Sequence, residues 1–143
     1  MREISIKAVI VGLVADVGGT AAFFFVFAIL GGILLSSTGR GMEELETYTK
    51  TTGFLVLSSF GGSLFSVFGG YVSARIAGRA EIKNASATGT LSAMTGVLFL
   101  ILSSGSSPLW LDILALIAIV PCSMLGGYLC LKSRQEKMMN TET

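Results

Sequence analysis

The sequence predicts an all-α fold, a polytopic membrane protein built as a bundle of four transmembrane helices, and three observations carry that expectation. Of its 143 residues, 52% are hydrophobic and 13% charged, where a soluble domain carries about 25% charged residues. The apolar residues gather into four continuous runs, each near the roughly 20 residues that cross a 30 Å hydrocarbon core. None of these runs alternates with period two, so helices are expected rather than barrel strands.

The first run extends from about Ala8 to Leu35 and is long enough to tilt. Arg2 and Lys7 ahead of it give it the look of a signal peptide. The run continues through Phe23, Phe24, Phe25 and Phe27, past any plausible cleavage point, and is expected to be a retained span. The second run covers Gly53 to Ile76, the third Ala85 to Ser103, and the fourth Leu109 to Leu131. At the start of the fourth, Ser106-Ser107-Pro108-Leu109-Trp110 offers a serine cap, a proline suited to the first helical position and an interfacial tryptophan. Pro121, in mid-span, is expected to kink that helix and free a carbonyl. The longest polar stretch, Ser36 to Thr52, has 17 residues, so residues 1–143 read as a single transmembrane domain. Within that stretch, Met42-Glu43-Glu44-Leu45-Glu46 reads as a short acidic surface helix.

Charge sets the expected orientation. Eight of the ten Lys and Arg residues (Arg2, Lys7, Arg75, Arg79, Lys83, Lys132, Arg134, Lys137) fall on the side of both termini and the second loop. Only Arg40 and Lys50 fall opposite. The positive-inside rule therefore puts both termini in the cytoplasm, as for a multi-pass protein of a bacterial inner membrane. A net charge of +1 leaves no basic surface for nucleic acid.

Catalysis has little to work with. Histidine is absent, and no Ser-Lys pair or pair of mid-membrane aspartates is visible, so no enzymatic activity is expected. Cys122 and Cys130 lie eight residues apart, about 12 Å along a helix, too far for a disulfide. Without histidine or a third thiol they make a poor metal site, and no cofactor is implied.

Glycine is the other departure from ordinary composition, with 18 residues against a usual 7%. In the second helix Gly62, Ser66, Gly70, Ala74 and Gly78 recur every four residues, with Gly61, Gly69 and Ser73 beside them. Gly126 and Gly127 in the fourth helix, Gly89 and Ala93 in the third, and Ala8, Gly12 and Ala15 in the first supply comparable small faces. Such stripes let helices approach closely in lipid, where no hydrophobic force draws them together. They fit a glycine zipper within one chain, a contact in a homo-oligomer or with another membrane protein, or a wall lining a permeation path. A local echo, Ser66-Val67-Phe68-Gly69-Gly70-Tyr71 against Ser123-Met124-Leu125-Gly126-Gly127-Tyr128, with Arg75 and Lys132 at the same offset, fits two hairpins of like orientation.

Asp16 is the one ionisable residue deep in a span, about 12 Å in from the start of the first run. A carboxylate there costs on the order of 2.5–3.5 kcal/mol, so it must be paired, hydrated or protonated. Its expected partners are hydroxyls such as Ser59, Ser63 or Thr95, water, or another copy of itself. It reads either as a protonated link between helices or as a proton or cation site. Asp112 reads as a carboxylate held by a helix N-terminus near the outer surface. Arg75, Arg79 and Lys83 suit anionic lipid headgroups.

Two resemblances rest on these residues. The stretch Phe68-Gly69-Gly70-Tyr71-Val72-Ser73-Ala74-Arg75-Ile76-Ala77-Gly78-Arg79, running into the third helix, resembles the Gly-Gly-Tyr, small-residue, Arg pattern of small uncharacterised four-helix bacterial membrane proteins. That resemblance implies no biochemical activity. Gly12 with Ala15-Asp16-Val17-Gly18-Gly19-Thr20 is similar to the first helix of the small multidrug resistance transporters, four-helix proton antiporters. Their membrane carboxylate is a glutamate, preceded by alanine and followed by Val-x-Gly-Thr, that binds both proton and cationic drug. The resemblance implies that Asp16 stands in its place. Two functions follow as expectations: a Gly-rich bundle acting as a homo-oligomer or accessory subunit, or a small proton-coupled transporter or channel using Asp16.

Overall fold

The computed structural model describes residues 4–37, 47, 51–102 and 108–140. It contains four long helices: α1 (Ile6–Ser37), α2 (Thr52–Ala77), α3 (Glu81–Leu102) and α4 (Leu109–Met139). All four are long and apolar enough to cross a membrane, and no strand occurs among the described residues. The acidic stretch 42–46 and the serines at 106 and 107 lie outside the described residues.

Two boundaries move from the sequence expectation. Helix α3 begins at Glu81, one turn before Ala85, because Gly78 ends α2 abruptly. Gly78 adopts φ +62° and its N–H reaches the Ala74 carbonyl at 3.1 Å. Glycine takes this left-handed conformation without steric cost and is the usual residue at such an end. Helix α4 runs two turns past Leu131 to Met139, beyond the apolar run, on a segment rich in Lys, Arg and Glu. It continues unbroken through Pro121. Pro108, expected at the first helical position, instead occupies the N-cap in an extended conformation.

The helices alternate in direction. Across α1 and α2, Gly12 meets Gly69, Gly19 meets Phe65 and Gly61 meets Phe23, an antiparallel register. Gly89 with Ser123 and Gly96 with Leu116 set the same sense for α3 and α4. The start of α1, the end of α4 and the tight 78–80 turn therefore share one end of the bundle, called here the terminal end. α2 and α3 each touch all three other helices, whereas α1 and α4 do not meet. The cross-section is a rhombus, with α2 and α3 on its short diagonal.

Glycine makes this closeness feasible. A Cβ added at Gly12 would lie 2.6 Å from Ser73 Cβ, and one at Gly69 would lie 2.7 Å from Asp16 Cβ. Between α2 and α4 the approach is backbone to backbone. A Cβ on Gly70 would overlap the Ser123 carbonyl, and one on Gly126 the Val67 carbonyl. Gly127 fits against Ala85 of α3. One glycine of each Gly-Gly pair, Gly70 and Gly126, thus serves the α2–α4 contact, and the two are not counterparts in the echo: Gly69 faces α1 while its counterpart Gly126 faces α2.

Two members of the predicted packing stripe do other work. Gly62 has nothing within 4 Å of where a Cβ would stand, and it faces a cavity instead of a helix. Gly78 likewise meets nothing, its place being the helix end.

The interior is small and polar. The largest fully buried side chains are Asn84, Thr88, Ser73 and Ser123. Asn84 accepts from the Ser5 N–H at 2.8 Å and donates to the carbonyls of Arg79 and Ala80. Thr88 Oγ1 lies 2.8 Å from Ser73 Oγ, and Ser123 Oγ donates to the Ala85 carbonyl at 2.7 Å. This layer ties α1, α2, α3 and α4 together near the terminal end. The large apolar side chains point outward instead, Phe25 being 68% and Ile101 74% exposed.

Candidate functional site

Toward the other end the described residues leave space between the helices. Because α1 and α4 do not touch, a cavity of about 540 Å³ remains between them, walled by α2 and α3. Asp16 lies at its inner limit and Asp112, in the first turn of α4, lines it near the opposite end. Between them stand Phe24, Phe54 and Phe99, with Thr20, Ser58, Ser59, Ser63 and Thr95. Apolar walls with a few convergent polar groups are the usual make-up of a small-molecule site.

The stripe Ala8, Gly12, Asp16 on α1 turns one face toward α2 and α3, which brings the Asp16 carboxyl into the interior. Asp16 is 4% exposed and accepts a hydrogen bond from Ser66 Oγ at 3.1 Å. Ser92 of α3, 5% exposed, lies close enough to the same carboxyl to interact with it, though outside full hydrogen-bond geometry. Its Oγ is the one buried side-chain oxygen or nitrogen without a partner among the described residues. Below this trio, the close Gly12–Gly69 contact and the Ser73–Thr88 layer seal the bundle.

A hydroxyl does meet Asp16, but it is that of Ser66 and not of Ser59, Ser63 or Thr95. Ser59 and Ser63 donate to the carbonyls one turn back on α2, both at 2.9 Å, and Thr95 does the same on α3 at 3.0 Å. These three hydroxyls line the cavity, with their hydrogens committed to the helix and their lone pairs left over. Ser58 behaves likewise, donating to Phe54 at 2.8 Å. The walls therefore present acceptors, and among the described residues no Lys or Arg lines them. Such a lining favours a solute that carries positive charge or hydrogen-bond donors.

The remaining candidates gather at the terminal end. Arg75 lines a smaller pocket of about 250 Å³ with Tyr71, Cys130 and Arg134, while Arg79 and Lys83 are exposed nearby. Arg134 pairs with Glu81 at 3.0 Å and also donates to the Gly78 carbonyl, clamping the α2–α3 turn to α4. Both cysteines are free, Cys130 buried and Cys122 partly so.

Small polar side chains inside, large apolar ones outside and four membrane-length helices define a multi-pass integral membrane protein of the four-helix-bundle class. Comparison with protein-family models, with curated proteins and with solved structures finds no match to this chain.

Proposed function

We propose that this chain is a small proton-coupled carrier or channel of a bacterial inner membrane, whose solute path is the cavity ending at Asp16. It carries out no chemical conversion. Both termini face the cytoplasm, as the eight-to-two distribution of Lys and Arg favours, so the cavity opens outward. On that orientation Arg75, Arg79 and Lys83 meet the anionic headgroups of the inner leaflet.

The observation that carries this reading is the burial of Asp16 at the inner limit of an acceptor-lined cavity. A carboxyl inside the bilayer is costly, so its occupancy by a proton or cation couples naturally to what enters beside it. The other expectation, a homo-oligomer or accessory subunit, drew on the small-residue stripes, of which Gly12, Gly61, Gly69, Gly70, Gly89, Gly126 and Gly127 meet neighbours within the chain.

Reconstitution tests the proposal. With a pH gradient across proteoliposomes, the parent is expected to drive flux of a small organic cation, and Asp16→Asn to abolish it at unchanged protein level. Equal flux in both would overturn the carrier reading.

A further inference from the structure

Resting on the carrier reading, the geometry points to a second occupant for its closed end: we infer that a sodium-class monovalent cation and a proton compete for one oxygen site formed by Asp16, Ser66 and Ser92. Three helices each contribute one of these residues, and all three are nine-tenths or more buried. Ser66 Oγ directs its hydrogen to Asp16 Oδ1 at 3.1 Å, which leaves its lone pairs available. Ser92 Oγ lies beside the same carboxyl and, among the described residues, makes no hydrogen bond of full geometry. A buried hydroxyl short of a full hydrogen bond costs about 1–3 kcal/mol, which an occupant that draws the three oxygens together would relieve.

Two occupants complete it. A proton on Asp16 neutralises the carboxyl and lets it donate to Ser92 Oγ. A hard cation instead takes oxygen ligands from the carboxylate, Ser66 and Ser92, with water from the cavity filling its shell. One carboxylate balances one positive charge, and a divalent ion would leave net charge in the membrane interior. The exchange is balanced: the cation enters, the carboxyl proton leaves to the cavity, and the charge at Asp16 stays neutral.

Among the described residues no other charged side chain lies at this depth. Among the described residues, Asp112 is the only other charged side chain on the cavity. On α1 the nearest is Lys7, nine positions away, on α2 it is Arg75, also nine beyond Ser66, and on α3 Lys83, nine before Ser92. Each is roughly 13 Å off along its helix.

Proton release on adding salt to the purified chain in weakly buffered detergent is the test. Sodium chloride is expected to release about one proton per chain, choline chloride none. Asp16→Asn should release none. Ser92→Ala, which keeps the carboxyl and guards against misfolding of the aspartate variant, should raise the half-saturating sodium concentration at least about tenfold. No sodium-specific release from the parent, or the same half-saturation in Ser92→Ala, overturns the inference. If release is absent while Asp16→Asn still abolishes solute flux, the competition fails and the carrier stands. If release is present while Asp16→Asn leaves flux unchanged, the site stands and the carrier falls.

Discussion

Replacing Gly126 by alanine tests the packing account on a single methyl group. The new Cβ would fall on the Val67 carbonyl oxygen and stand 2.7 Å from the Tyr71 nitrogen. Both are backbone atoms of α2, unable to swing aside as the tip of a side chain would. The two helices must separate, and the matching Gly70–Ser123 approach opens with them. Overpacking costs about 1–3 kcal/mol, and the backbone contact places this case at the upper end. Alanine's better helix propensity returns about 1 kcal/mol, leaving a net loss of about 2 kcal/mol. Gly62→Ala is the matched control, because nothing lies within 4 Å of its Cβ and only the propensity gain remains. The two variants should differ by about 3 kcal/mol, a separation on the order of 6–12 °C in thermal unfolding followed by far-UV circular dichroism in mild detergent. A Gly126→Ala protein as stable as the parent, or a Gly62→Ala protein equally weakened, would refute the reasoning.

Further outcomes follow from other contacts. Gly62→Leu should fill the cavity and suppress solute flux while leaving thermal unfolding close to the parent's; loss of stability together with flux would mean that Gly62 packs against a helix. Gly78→Ala meets no atom yet places a side chain at φ +62°, so it should destabilise by about 1–2 kcal/mol in the same unfolding assay. Arg134→Gln should cost no more than about 1 kcal/mol, with the difference shrinking in high salt, because the Arg134 side chain is half exposed.

Hydropathy and charge made the four spans and the common end of the termini legible, because lipid demands continuous apolar runs whatever the tertiary contacts. The ends were less so. Asn84 reads as a polar residue outside the third run, yet it is the fully buried centre of the layer that joins Ser5 to the 78–80 turn. Its short amide beside a glycine turn was the available signal. At the site, the lone intramembrane carboxyl singled out Asp16, but composition along one helix cannot say which neighbour it faces. Ser59 and Ser63 sit at the right depth yet bond their own helix, while Ser66, counted among packing residues, holds the carboxylate. Ser92 carried no signal, since its role comes from rotation of α3 against α1. The glycine stripe conveyed closeness without its direction: Gly70 and Gly126 pack within the chain, whereas Gly62 opens onto a void.

Thiol accessibility tests the central claim, that a path from one side only leads down to Asp16. In a background with Cys122→Ser and Cys130→Ser, single cysteines replace Ser59, Ser63 or Ser73 and are exposed to a membrane-impermeant maleimide from either side of oriented vesicles. Ser59→Cys and Ser63→Cys should label from the side opposite the termini, and Ser73→Cys, sealed in the polar layer, from neither. Protection of Ser59→Cys and Ser63→Cys, or their labelling from the terminal side, would contradict the account.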